Sequence, residues 1–378
     1  MSHKAPRWTA RVFARGRTSN GRWLAITTAC LFAWAGCADE PSAHPREASN
    51  ATVDETLTPG ELIGRFPKNP SDQTSGEIIE GAMGLAVGDG AIHVLDRVAG
   101  SVLRFDLSAR LLSRAGSPGE GPAELSSPMG IAVGRNGEVW VADPAAGRLS
   151  RFAGSGTHIE EYRTPYPPVN IGVSATGMAL IPTLSERSLL ARVSADGATD
   201  LVVDPNLVPS EVSAGPSDRI SFRGLMFAGL PDGSFAMLQN RHGTNFRAWT
   251  IDVDRDATRI EGIAPLPLPG WLYTILEEEV EVVRRTVPEE FAQGDFLVPF
   301  KGMHAVGGRL WLVPSPSSRV IALSVPTRES QTLTVVVGGE AVYRGLIDAA
   351  VMGDRLIALY RTELRIYRLE GAEVTFAP

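Results

Sequence analysis

The feature that most constrains the fold is a short apolar strand that recurs six times, each time directly after a turn of small residues. The copies are Ala91-Ile92-His93-Val94-Leu95, Glu138-Val139-Trp140-Val141-Ala142, Met178-Ala179-Leu180-Ile181, Ser234-Phe235-Ala236-Met237-Leu238, Arg309-Leu310-Trp311-Leu312-Val313 and Arg355-Leu356-Ile357-Ala358-Leu359. The turns before them are Asp89-Gly90, Asn136-Gly137, Thr176-Gly177, Asp232-Gly233, Gly307-Gly308 and Gly353-Asp354. Such pairs reach the positive φ that a two-residue hairpin needs. The strands read as near-continuous apolar runs, which fits burial on both faces. A third, shorter strand follows each copy: 102–105, 149–152, 190–193, 247–251, 320–323 and 364–367. Outer fourth strands are expected at 158–162, 200–203, 332–337 and 373–376.

Four antiparallel strands per unit, repeating every 40–45 residues or so, is the pattern of a propeller blade. A solenoid would need a shorter period, and an immunoglobulin-like array units of about 100 residues. The expected fold is all-β, a six-bladed β-propeller over residues 60–378, with an amphipathic helix inserted between blades four and five. That helix is read from Leu272, Ile275, Leu276, Val280 and Val283 at helical spacing within 271–290, with Glu281 four residues before Arg285. It packs either across the central channel or on the outer rim. Ring closure either uses the segment from Glu61 to Phe66 as an extra outer strand or abuts the first and last blades.

The best-formed copy runs from Gly116 to Phe152. Its residues Gly116, Gly119, Gly121, Pro122, Glu124, Pro128, Gly130, Ile131, Ala132, Val133, Gly137, Val139, Val141, Ala142, Asp143, Arg148 and Phe152 resemble the NHL-repeat pattern. That resemblance implies a six-bladed propeller of the NHL-repeat or TolB-like type. Asp96 and Asp143 fill the pattern's acidic position after the second strand; Thr183, Gln239, Pro314 and Tyr360 stand near it in the other blades. The Asn-His-Leu triplet itself is absent, so the resemblance speaks to fold and not to activity.

The N-terminus is of another kind. Residues 1–36 carry six basic residues and no acid, then a thirteen-residue apolar run from Leu24 to Gly36. A membrane-spanning helix needs about 20 residues, so the run reads as a signal peptide. It ends in Trp34-Ala35-Gly36-Cys37, which resembles the lipobox of bacterial lipoproteins, although Trp34 stands where that motif favours leucine. The resemblance implies lipidation of Cys37 and, with Ala38 next, outer-membrane sorting in a Gram-negative host. The location expected is the cell envelope, lipid-anchored. Residues 37–59 are rich in Pro, Ser, Ala, Thr and acids and read as a flexible tether.

The other cysteine, Cys30, lies in the leader, so the processed chain has no pair to oxidise. Beyond the leader 30 basic residues face 43 acidic ones, a net charge of −13. So acidic a body repels phosphate backbones, and no nucleic-acid partner is expected. A monomer is expected.

Candidate site residues lie where inner strands begin. Phe222-Arg223-Gly224-Leu225, Phe300-Lys301-Gly302-Met303 and Tyr343-Arg344-Gly345-Leu346 share the order aromatic, cation, glycine, apolar. If equivalent, Arg223, Lys301 and Arg344 converge on one half of the channel mouth. They would repel unless an anion or buried carboxylates sit among them; Asp348 and Glu277–Glu279 are the candidate internal partners. His304 follows one of these starts, whereas His93 shares register with Trp140 and Trp311 and reads as a packed strand residue. The expected function is a binding or interaction scaffold, its ligand an anionic small molecule, an acidic peptide or an envelope protein, with Arg223, Lys301, Arg344, His304 and Asp348 as ligand-binding residues. The competing structural reading has these cations bridging blades. An alternative function is a metal-dependent lactonase-like hydrolase or lyase working in the channel. No catalytic residue, metal site or cofactor is assigned: a cationic mouth disfavours a divalent ion, and G-x-S-x-G, HxxxH, CxxC and P-loop signatures are missing.

Overall fold

The computed structural model describes residues 58–68, 78–182, 188–194, 197–203, 225–239, 247–253, 259–260, 262–265, 300–307, 309–314, 320–324, 332–335 and 346–370. Their strands form five sheets of four strands and a sixth of five, besides one two-stranded ribbon. In chain order, the blades start with the inner strands Ala82–Gly88, Gly130–Val133, Gly172–Val173, Leu225–Gly229, Phe300–Val306 and Leu346–Met352. Each inner strand touches that of the next blade, and the sixth touches the first, so the ring is closed.

The six apolar copies form the second strand of their blades, from Ala91–Asp96 to Arg355–Tyr360. Two of the turns that precede them have two successive left-handed residues: Asp89 and Gly90 take φ of 51° and 67°, Asn136 and Gly137 62° and 71°. In the other four, the described left-handed residue is a single glycine, Gly177, Gly233, Gly307 or Gly353. The third strands fall where the sequence places them.

The last blade departs from expectation. Its outer strand is not 373–376, which lies outside the described residues. Thr58–Phe66 takes that place, antiparallel to Glu363–Glu370. One blade is thus assembled from both ends of the propeller, and this settles the closure left open by the sequence. The inserted helix expected at 271–290 lies outside the described residues. The third blade carries an extra edge strand, Arg259–Ile260, parallel to Gly197–Val203.

The core lies between blades, not within them. Leu85, Val94, Leu103 and Phe105 of the first blade pack against Ala350, Ile357, Leu359 and Ile366 of the sixth. Phe66 of the closing strand meets Phe105 edge-on, ring centroids 4.8 Å apart. Burying such a side chain contributes about 2 kcal/mol, so each sheet gains its stability from its neighbours.

Blades one and two share a buried aspartate. Asp96 accepts backbone N–H bonds from Glu80, Gly81 and Ala99 at 2.7–3.1 Å. Asp143 accepts them from Ser126, Ser127 and Ala146 at 2.6–3.3 Å. The acidic position of the repeat therefore fastens the loop leading to the inner strand. The glycine-rich loop is held by buried Arg148, whose guanidinium donates to the carbonyls of Glu120, Gly121 and Glu124 and to Glu161.

Candidate ligand site at the hub

Strand register defines which inner-strand residues are equivalent. The residues opposite the second-strand position just before the repeat's acidic site are Gly84, Gly130, Met226, Gly302 and Asp348, facing Leu95, Ala142, Leu238, Val313 and Leu359. Two residues further, the layer is Ala86, Ala132, Gly172, Ala228, His304 and Ala350. The second layer is small everywhere except at His304, because six inner strands converge there. In the first, Asp348 is the only charged residue. These two exceptions are adjacent across blades five and six: His304 Nε2 lies 2.8 Å from Asp348 Oδ1.

Asp348 joins three blades. Its Oδ1 also accepts the Ala349 N–H at 2.8 Å, and its Oδ2 accepts the Leu85 N–H of the first blade at 3.1 Å. The room for it comes from missing side chains. A Cβ on Gly302 would lie 1.8 Å from Oδ1, and one on Gly84 3.8 Å from Oδ2. The Asp348 and His304 side chains are only 6% and 10% exposed. An ionised carboxylate accepts only, so beside it His304 carries its proton on Nε2 and leaves Nδ1 as the nitrogen that can accept or transfer one. The same geometry serves a carboxylate-oriented base elsewhere.

Lys301 stands at a β-bulge, between the pairs Phe300–Pro314 and Gly302–Val313. Equivalent bulges interrupt the inner strands of blades one and six, at Ala82/Gly84 and Leu346/Asp348. Bulges re-aim side chains, and here three neighbouring blades carry them on the side of the hub that holds Asp348. The half-buried Lys301 amine donates to the Leu346 carbonyl of blade six at 2.8 Å. Burial pulls its pKa down, against the nearby Asp348 charge, which holds it up. Asn170 makes the matching contact in blade three, donating to the Leu225 carbonyl of blade four at 3.0 Å. Asn170 stands at the start of the third inner strand in the sequence but was not among the site residues proposed from it; its signal was a polar residue two before Gly172, where blades one, two and five have glycine.

Of the five residues proposed from sequence, Lys301, His304 and Asp348 are thus brought to one side of the hub. Arg223 and Arg344 lie outside the described residues. The register also separates the three look-alike motifs. Leu346 faces Tyr360 as Phe300 faces Pro314, and Met226 faces Leu238 as Gly302 faces Val313. Lys301 is therefore inside its strand, and its motif is offset by three residues from those that end in Leu225 and Leu346. His93 is a packed strand residue, as read: 1% exposed, with its pKa lowered to about 4 by burial and then by Arg104. Among the described residues, no three His, Cys, Asp or Glu side chains are grouped to hold a metal ion.

No protein-family model matches the sequence, and no curated protein matches it. Solved structures do resemble it. A candidate exported protein of Bacteroides fragilis aligns at TM-score 0.50 and 11% identity, over 85% of this chain and 98% of that one. A PQQ-bound aldose sugar dehydrogenase of Streptomyces coelicolor aligns at 0.47 and 14%, over 85% and 100%. A gluconolactonase of Xanthomonas campestris aligns at 0.45 and 13%, over 84% and 99%. At such identities the likeness is one of fold, and by fold this chain is a β-propeller.

Proposed function

We propose that this protein is an exported, lipid-anchored β-propeller of NHL type that binds a small anionic molecule at its hub, against blades five, six and one. The observation that carries the reading is the meeting of His304 and Asp348, the two residues that break otherwise small or uncharged inner-strand layers, beside the Lys301 amine. A scaffold needing only close packing would place small or apolar residues there, as the other described blades do. The Lys301 amine supplies a donor for an oxyanion, while Asp348, with both oxygens engaged, holds the His304 imidazole in place beside it. Export is supported by the leader and by the likeness to a candidate exported protein; anchoring is supported by Cys37 at the end of the apolar run.

The test is a thermal-shift and calorimetric screen of the purified full chain against small carboxylates, phosphates and sulfonates. A saturable shift that weakens at least tenfold in His304→Ala and Lys301→Gln is expected. Equal shifts in wild type and both variants would refute the site. Cell fractionation tests the anchor: Cys37→Ala should move the protein from the membrane fraction to the soluble one.

A second reading, turnover at the same site, is favoured by one observation: a carboxylate fixing an imidazole is also how a general base is held. Hydrolysis of simple lactones by the purified protein, lost in His304→Ala, would establish it, and metal analysis of the same sample separates a metal-dependent route from a metal-free one.

A further inference from the structure

The chain contains 33 arginines but only three lysines, Lys4, Lys68 and Lys301. Lys4 lies in the basic leader and Lys68 just beyond the closing strand, so among the described residues Lys301 is the only lysine on a strand. Elsewhere in the described blades, cationic side chains that pair with carboxylates or carbonyls are arginines, as at Arg148, Arg151 and Arg365. If position 301 needed only a cation to tie the Leu346 carbonyl, arginine would serve as well. The two differ in one respect: a guanidinium stays protonated and is not a nucleophile, whereas an amine placed in a desolvated site can lose its proton and attack a carbonyl.

The surroundings suit that chemistry. The bulge turns Lys301 out of the strand's alternation, and the Leu346 carbonyl holds Nζ through one N–H, the one Nζ hydrogen bond seen among the described residues, which does not use the lone pair of a neutral amine. Leu346, which holds Lys301, and Asp348, which holds His304, lie two residues apart on one strand, across its bulge, so both side chains are anchored on the same stretch of blade six. A small carbonyl compound bound against that stretch would meet both the amine and the imidazole. Burial favours the unprotonated amine.

We propose that Lys301 is a nucleophilic amine that forms an imine with a small aldehyde or ketone bound at the hub. The step balances as an addition and a dehydration. Nζ attacks the carbonyl carbon, a C–N bond forms, and the carbonyl π pair goes to oxygen. A proton passes from nitrogen to that oxygen by way of His304. The resulting carbinolamine passes its second N–H proton to the hydroxyl by the same route as the C–O bond breaks; the nitrogen lone pair forms C=N, and water leaves. Hydrolysis in reverse restores the amine. This inference rests on the ligand site proposed above and narrows its occupant to carbonyl compounds.

The experiment is reductive trapping. The purified full chain is incubated with glyoxylate, an anionic aldehyde, or with glycolaldehyde, a neutral one, in the presence of cyanoborohydride, which reduces an imine to a stable amine. Peptide mass mapping then locates the label. The expected result is adduct at Lys301 at least tenfold faster than at Lys68, faster trapping by glyoxylate than by glycolaldehyde, and slower trapping in His304→Gln. The charge-preserving Lys301→Arg should remove the label, with its thermal melt confirming that it is folded. Labelling of Lys68 as fast as Lys301, or none at Lys301, would overturn the inference. If small anions still shift the melting temperature while trapping fails, the imine is wrong and the binding site stands; if neither occurs, both are wrong.

Discussion

Gly302 and Asp348 occupy one space. They are equivalent positions on neighbouring inner strands, and a Cβ on Gly302 would stand 1.8 Å from Asp348 Oδ1. The absence of a side chain in blade five is what admits a carboxylate from blade six. Gly302→Ala should destabilise the protein by about 1–3 kcal/mol, as overpacking does. Combined with Asp348→Ala it should cost less than the sum of the two, because the clashing group is gone. Urea unfolding of the four-member cycle measures this; strict additivity would show that the two do not share the space.

Asp348 itself accepts the N–H groups of Leu85 and Ala349 as well as facing His304. Replacing it with alanine leaves those donors unpaired, at about 1–3 kcal/mol each for groups that stay buried. Asp348→Asn keeps one accepting oxygen and should be the milder change. Denaturant midpoints of the two variants give the comparison.

His93 makes the fold sensitive to acid. Its pKa falls from 6.5 to about 4 in the folded chain, through burial first and Arg104 second. The unfolded chain therefore takes up a proton at higher pH than the folded one. Stability should be unaffected above pH 6.5, decline as pH drops toward 4, and level off below that. The full loss is about 3–4 kcal/mol, for a drop from 6.5 to about 4 at roughly 1.4 kcal/mol per tenfold change in proton affinity. His93→Phe should flatten this part of the stability–pH curve, read by unfolding at pH 7, 5.5 and 4.

Ring closure depends on Thr58–Phe66. Removing residues 1–66 would uncover the edge of Glu363–Glu370 and the buried Leu364 and Ile366. An open apolar edge pairs with other chains, so size-exclusion chromatography should show oligomers or aggregate. The milder Phe66→Ala should cost about 3–5 kcal/mol without changing the elution volume from that of the wild type.

Arg148 is a test of arginine's shape. It is buried and spans three carbonyls and Glu161 with one planar group. Lysine offers a point charge in place of a fork. Arg148→Lys should therefore loosen the loop 116–125, seen as faster amide exchange there than in blades four to six.

What the sequence determined by itself was local: six turns, six buried second strands, the third strands after them and, through their number, a ring. These follow from φ preferences and from alternation over five residues, which need no distant partner. The tertiary structure decided what depends on distant partners. The closing strand comes from the N-terminus because strand pairing, not chain order, fills an edge. The three look-alike motifs are not in register: Phe300, the first residue of its motif, takes the place that Leu225 and Leu346, the fourth residues of theirs, take in blades four and six, an offset that residue order does not reveal. His304 and Asp348, forty-four residues apart, became a pair only when blades five and six met, because a carboxylate finds room where the neighbouring strand has no side chain.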